Sequence, residues 1–154
     1  MGSEISGGIR NVTIRSCLMD NENWSPLRFK SQPSRGGTVE NITFEDITIK
    51  GARSIFDINM EWRMVPPISP AHYPLTCLRN IHFKNINGEA QSAGTMYGFK
   101  EAPFGNDTFF FENCHIKAQK GLSISNVANV NFKGLELEIK EGEKIYERSA
   151  NKDK

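Results

Sequence analysis

The stretch Asn41-Ile42-Thr43-Phe44-Glu45-Asp46-Ile47 decides the fold, because its pattern recurs along the chain. The unit is an asparagine, an apolar residue, any residue, a second apolar residue, two polar or small residues, and a third apolar residue. The first two apolar residues are two positions apart, as on one face of a β-strand, and the third follows a bend. Further copies place the three apolar slots at Val12, Ile14 and Cys17; Ile81, Phe83 and Ile86; Phe109, Phe111 and Cys114; and Val130, Phe132 and Leu135.

The copies begin 30, 39, 28 and 21 residues apart, so the strand unit persists while the loops vary in length. A second short apolar strand follows each unit, at residues 27–30, 55–60, 96–100, 121–125 and 144–147. Strand units that bury their inner faces only by stacking on their neighbours are typical of a parallel β-helix. We therefore predict an all-β parallel β-helix of about five coils, with an antiparallel β-sandwich as the alternative.

Two residue types in the repeat have structural roles in this prediction. The asparagine before each first strand is expected in the left-handed region of a tight turn, which explains the Asn-x-Thr sequons at Asn11 and Asn41 better than glycosylation does. Cys17 and Cys114 fall in the slot that Ile47 and Ile86 occupy elsewhere, so both are expected to line the interior.

Composition excludes several classes of function. The chain has 154 residues, of which 19 are basic and 18 are acidic, which predicts one domain over residues 1–147, a polar tail over 148–154, and no nucleic-acid partner. No apolar run is long enough for a membrane span. Three cysteines without C-x-x-C spacing and three scattered histidines predict no metal site and no cofactor.

Three stretches, GSEISGGIRNV (residues 2–12), LRFK with the later RGG (27–30 and 35–37) and VENITFEDI (39–47), resemble glycoside hydrolase family 28. This family comprises the polygalacturonases and their exo-acting and rhamnogalacturonan-cleaving relatives. The resemblance implies a right-handed parallel β-helix, a pectic substrate and an exported protein, extracellular or periplasmic. The family's Asn-Thr-Asp, Asp-Asp and Gly-His-Gly catalytic motifs do not occur in this chain. We therefore expect the C-terminal part of such an enzyme, truncated at its N-terminal end and without a catalytic residue.

The family's Arg-Ile-Lys motif corresponds to Arg28-Phe29-Lys30, which implies that Arg28 and Lys30 bind the carboxylate of a galacturonate unit. Strand alternation agrees, because it directs both cations outward about 6.6 Å apart. A solvated pair of surface cations is the alternative. Trp62 stands where the family has a tyrosine and is either a sugar-stacking platform or a packing aromatic.

Other residues near this motif have expected roles. Trp24 could also stack on sugar, and Asp57 or Glu61 is expected to neutralise the two cations across adjacent coils. Acidic polysaccharide or oligogalacturonate is the expected ligand, and a non-catalytic solenoid that binds acidic polysaccharide or serves as an assembly scaffold is the alternative function. We also expect self-association through the open N-terminal coil, which exposes Ile9, Val12 and Ile14, or else a need for an upstream half.

Overall fold

A computed structural model of the chain describes residues 1–2, 5–20, 24–63 and 74–148. These residues form strands and no helix. The strands are β1 (Gly8–Asp20), β2 (Leu27–Lys30), β3 (Thr38–Asn59), β4 (Cys77–Tyr97), β5 (Phe109–Glu112), β6 (Cys114–Ser125) and β7 (Leu135–Glu147). They join in one sheet of order β1-β3-β4-β6-β7, with β2 on β3 and β5 on β4. Every strand pair is parallel, which excludes the antiparallel sandwich and agrees with a β-helix.

The register aligns the slots that the repeat predicts to be equivalent. Ile47 pairs with Cys17 on one side and Ile86 on the other, and Cys114 pairs with Leu135. Ile47 and Cys114 are fully buried, whereas Cys17 is partly exposed on the outermost strand. The predicted interior position of the two cysteines is therefore confirmed, with Cys17 at the less covered end.

The predicted asparagine turns are present in the first three copies that begin with asparagine but not in the last, where Asn129 has no positive φ and residues 130–132 form no strand. Asn11, Asn41 and Asn80 have φ angles of 58°, 56° and 54°, in the left-handed region. Asn80 Nδ2 donates to Asn41 Oδ1 at 2.7 Å, and Asn41 Nδ2 donates to Asn11 Oδ1 at 2.9 Å. A second set of left-handed corners, at Ser16, Asp46, Asn85 and Asn113, lies between the second and third apolar slots. These hydrogen-bonded corners let each strand bend while its backbone stays paired.

Phenylalanine fills the second apolar slot of the inner face. Phe44, Phe83 and Phe111 stack with ring centroids 5.5 and 5.4 Å apart, and Phe132 continues the stack 5.8 Å from Phe111. Stacked aromatic pairs of this kind contribute about 0.5 to 1.5 kcal/mol beyond the area that they bury. The stack runs across four successive repeats and ties them into one core.

The predicted second strands at residues 55–60 and 96–100 correspond to the ends of the long strands β3 and β4 rather than to separate elements. Of the predicted second strands, only β2 is a separate element, and it pairs with residues 56–59 of β3. Gly94 has φ +123°, and a Cβ there would lie 1.9 Å from the Phe56 carbonyl oxygen. Glycine at this position lets β4 pass close to β3.

Candidate functional site

Strand β2 presents the two predicted site cations on one face. Leu27 and Phe29 are fully buried, while Arg28 and Lys30 alternate with them and are partly exposed. The register carries this alternation onward, so that outward polar residues follow on β3, β4 and β6. We call the resulting surface the Arg28 face; its members are Arg28, Lys30, Asp57, Asn59, Thr95, Tyr97, Ser123 and Ser125.

Asp57 is the acidic partner of Arg28. The two residues are paired across β2 and β3, and Arg28 Nε lies 2.6 Å from Asp57 Oδ2. The Nε–H is not aligned on the carboxylate, so the pair is an ion pair by distance and not a well-formed hydrogen bond. The side chains are 29% and 21% exposed, so solvent screens this pair only in part.

Glu61, the other predicted neutralising acid, has different partners. Its carboxylate lies 3.2 Å from Arg148 Nη1 and accepts a hydrogen bond from Asn126 Nδ2 at 3.3 Å. Of the two acids, Asp57 therefore meets the β2 cations as predicted, and Glu61 contacts the end of β7 and the turn after β6.

Each site cation lies against a tryptophan. Lys30 Nζ is 3.7 Å from the centroid of the Trp62 ring, and Arg28 Cζ is 5.6 Å from the Trp24 ring. Trp62 is fixed by its backbone N–H, which donates to the Ser31 carbonyl at 3.0 Å. Trp24 is 60% exposed and Trp62 is 36% exposed, so both rings reach solvent. The structure thus brings Arg28, Lys30 and Trp62 together.

Burial, together with neighbouring cations, lowers the pKa of two amino groups at the site. Burial lowers the pKa of Lys30, the nearby Arg28 lowers it further, and Asp57 opposes the change. The pKa of the Met1 amino group is also lowered, first by burial and then by Arg28 and Lys30. This amino group donates to the Arg28 carbonyl at 2.6 Å, a contact that no sequence pattern indicated. An anion at this site would relieve the repulsion among the cations.

A cleft of about 440 Å³ adjoins the Lys30 end of the face. Its lining residues are Pro33, Asn59, Glu61, Arg63, Tyr97 and Arg148. The Tyr97 hydroxyl lies 3.0 Å from Ser123 Oγ, and the Arg148 guanidinium lies 4.6 Å from the Tyr97 ring centroid. Sequence reasoning missed both residues. The repeat could have predicted Tyr97, since this residue shares the outward slot of Lys30 and Asn59. Arg148 belongs to the predicted tail, for which the repeat predicts no partner.

The histidines lie apart from this site. His82 Nε2 contacts Asn80 Oδ1 at 2.7 Å, and His115 Nδ1 lies 2.9 Å from Glu136 Oε2. His72 is outside the described residues. Within the described ranges, no group of three or more His, Cys, Asp or Glu side chains could hold a metal ion. The same ranges contain no helix long and apolar enough to cross a membrane.

Comparison with known protein families identifies the family of the chain. The family model described as glycosyl hydrolases family 28 matches residues 1–136. Since this match covers most of the 154 residues, the chain belongs to glycosyl hydrolases family 28. Comparisons with curated proteins and with solved structures found no match.

Proposed function

We propose that the chain is the substrate-binding C-terminal part of a polygalacturonase-like glycoside hydrolase, folded as a right-handed β-helix of about five coils. In this proposal Arg28 and Lys30 bind the carboxylate of a galacturonate unit in a pectic polysaccharide. The observation that carries the proposal is the pairing of two outward cations on β2, each beside an exposed tryptophan. Acidic sugars combine a carboxylate with an apolar ring face, and this arrangement offers a partner for each.

Arginine and lysine have complementary roles at such a site. The Arg28 guanidinium uses Nε toward Asp57, so a sugar carboxylate would approach its two Nη groups. The Lys30 ammonium is a point charge whose pKa is lowered by burial and by Arg28, and an incoming carboxylate would favour its charged form. The site therefore has an excess of positive charge before the ligand arrives, and this excess favours the binding of an anion.

The two tryptophans have different roles in this proposal. The Lys30 ammonium lies against the Trp62 ring at 3.7 Å, so Trp62 borders the site and holds the ammonium in place. Trp24 is the more exposed of the two and offers a ring face to a sugar. The cleft beside Tyr97 lies further along the same face and gives room for a neighbouring sugar unit.

Hydrolysis is not expected from this chain alone. The sequence lacks the three catalytic motifs of the family, and a missing general acid or base typically costs 10² to 10⁴-fold in rate. A reducing-sugar assay on polygalacturonate and rhamnogalacturonan should give background release. Activity that survives repurification and disappears in Asp57→Asn or Glu61→Gln would contradict this expectation.

Titration calorimetry with oligogalacturonate tests the binding site. We expect weak binding by the wild-type chain and a loss of about tenfold or more in Arg28→Ala, since a charge-assisted hydrogen bond contributes about 1.5 to 3 kcal/mol. Lys144→Ala is the matched control, because it removes an exposed cation from β7. Equal losses in the two variants would show that binding depends on overall charge and not on the Arg28 face.

A further inference from the structure

Glu61 is an acidic residue that stands close to the cations of β2. It lies in the turn after β3, two residues after Asn59, which is the register partner of Lys30. The next residue, Trp62, carries the ring that lies 3.7 Å from Lys30 Nζ. Side chains in diagonal positions on neighbouring strands come within reach of each other when they are long. Glu61 therefore stands where a released carboxylate can pair with the Lys30 ammonium.

Arg148 follows the last residue of β7 and binds this carboxylate. Arg148 Nη1 donates to Glu61 Oε2 at 3.2 Å. The backbone N–H of Arg148 donates to the Ile124 carbonyl at 2.8 Å, which continues the pairing of β7 with β6. Its guanidinium also lies 4.6 Å from the centroid of the Tyr97 ring. The backbone bond and the ring together fix the guanidinium, so that Arg148 offers Glu61 a positioned partner.

Asn126 holds the other oxygen of the same carboxylate. Its Nδ2 donates to Glu61 Oε1 at 3.3 Å and to the Gly98 carbonyl at 2.9 Å. The φ angle of Asn126 is 54°, so the side chain projects from a left-handed corner at the end of β6. Both oxygens of Glu61 are thus held by residues that follow β6 and β7, and neither is directed to β2.

The charges around Lys30 agree with this arrangement. Burial lowers the pKa of Lys30 most, Arg28 lowers it further and Asp57 raises it, and Glu61 is not among the groups that shift it. Arg28 and Lys30 together carry two positive charges, of which the ion pair with Asp57 balances one. A second carboxylate at Lys30 would cancel the remaining charge. An acidic ligand would then have to displace a side chain of the protein itself.

We propose that Arg148 is a positioning residue that keeps Glu61 from neutralising the Arg28 face. Arg148 acts through the Glu61 carboxylate, which it holds together with Asn126, so that Lys30 stays available to an acidic sugar. The inference rests on the proposed function for its ligand, whereas the placement of Glu61 is a property of the free chain. Two other roles for Arg148 are an anchor for the end of β7 and a direct contact with the sugar. Neither of these depends on whether residue 61 is acidic.

A double-variant cycle, measured by titration calorimetry with oligogalacturonate, tests this role. Arg148→Gln releases Glu61 toward Lys30 and should weaken binding about two- to fivefold, the range that one exposed ion pair contributes. Glu61→Gln/Arg148→Gln has no carboxylate to release and should restore the wild-type affinity. The gain from Glu61→Gln should therefore be larger in the Arg148→Gln chain than in the wild-type chain. Lys144→Gln, which removes an exposed cation from β7, is the matched control, and Glu61→Gln should give no extra gain in that background.

The pKa of Lys30 in the free chain provides a measurement that needs no ligand. By NMR titration, Glu61→Gln should lower this pKa more in the Arg148→Gln chain than in the wild-type chain, because a carboxylate beside an ammonium favours the charged form. In the wild-type background, Asp57→Asn should lower it more than Glu61→Gln does, since Asp57 acts on Lys30. This last comparison keeps the test decisive if Arg148→Gln fails to fold. An equal drop in Asp57→Asn and Glu61→Gln would show that Glu61 already acts on Lys30 and would overturn the proposal.

The outcomes separate this inference from the proposed function. Equal gains from Glu61→Gln in both backgrounds would assign the effect to overall charge, and a loss in Arg148→Gln that Glu61→Gln does not reverse would assign it to an anchor or a sugar contact. Either result overturns the role of Arg148. Loss of binding in Arg28→Ala with no loss in Arg148→Gln would support the proposed function and overturn this inference. If the wild-type chain binds no oligogalacturonate, the proposed function fails, and the Lys30 pKa still decides whether Arg148 restrains Glu61.

Discussion

Lys30 Nζ lies 3.7 Å from the centroid of the Trp62 ring, although the two residues belong to β2 and to the turn after β3. A cation held over an indole gains about 0.5 to 2 kcal/mol, depending on how far water is excluded. In the proposed site, this contact makes Trp62 the partner of the Lys30 ammonium. It links β2 to the turn after β3 and fixes the direction of the ammonium.

The first prediction concerns this contact. Trp62→Ala removes a cation–π contact that favours the charged form of Lys30 and also the ring's share of the burial that disfavours it, so its two effects on the Lys30 pKa oppose each other and affinity is the clearer measure. Oligogalacturonate affinity should fall by about two- to tenfold through loss of the positioned ammonium. Trp62→Phe keeps an aromatic ring and should give an affinity between those of the wild-type chain and Trp62→Ala. Titration calorimetry measures the affinity, and an unchanged affinity in Trp62→Ala would contradict the assignment.

The second prediction concerns the pH dependence of binding. The free-state pKa of Lys30 is lowered, and a bound carboxylate favours the protonated form. Affinity should therefore decline as pH rises through the lowered pKa of Lys30. Lys30→Arg keeps its charge at high pH, so its affinity should remain flat over the same range. The same decline in both proteins would assign the effect to another group.

The third prediction concerns stability in acid. His82 stacks on Phe110 with ring centroids 4.8 Å apart, and burial lowers its pKa, with Lys84 adding to the shift and Glu112 opposing it. A histidine whose pKa is lowered on folding favours the folded state above its unfolded pKa. That contribution is lost as pH falls through the folded value. The denaturation midpoint should drop between pH 7 and pH 5, and His82→Gln should drop less. An equal drop in the variant would contradict the role of His82.

The fourth prediction concerns the asparagine ladder. Asn41→Ala should destabilise the chain by about 2 to 3 kcal/mol, because alanine is strained in the left-handed region and two side-chain hydrogen bonds are lost. Asn41→Gly keeps the backbone conformation and should cost about 1 kcal/mol less. Thr48→Ala, at an exposed position of the same strand, is the control, with an expected change within about 0.5 kcal/mol. Chemical denaturation measures the free energy of unfolding of all three variants. Equal losses in Asn41→Ala and Asn41→Gly would contradict the role of the left-handed conformation.

The repeat made much of the fold predictable. The period of two within each unit fixed which side chains point inward, and the recurrent asparagine identified the left-handed corners at Asn11, Asn41 and Asn80. The bend between the second and third apolar slots was also predicted, but its left-handed residues were not, because Ser16, Asp46, Asn85 and Asn113 share no single residue type. The lengths of β3 and β4 were missed for a related reason. Their bends keep the backbone paired, so a change in periodicity does not end the strand.

The site was predictable only where it lies on one strand. Alternation within β2 was enough to direct Arg28 and Lys30 to the same face. The ion pair with Asp57 follows from neighbouring strands and was foreseen with Glu61 as an equal alternative. The contact of Glu61 with Arg148 joins residues 87 positions apart, and no spacing rule reaches that far. Long-range side-chain partners depend on loop paths, which vary between the repeats.

The most direct test of the Arg28 face compares oligogalacturonate with its fully methyl-esterified form in calorimetric titrations of the wild-type chain. The two ligands share sugar rings and length and differ in the carboxylate charge that Arg28 and Lys30 are proposed to bind. We predict that esterification weakens binding about tenfold or more, and that Arg28→Ala abolishes most of this difference. Equal affinity of the two ligands for the wild-type chain would contradict the proposed site.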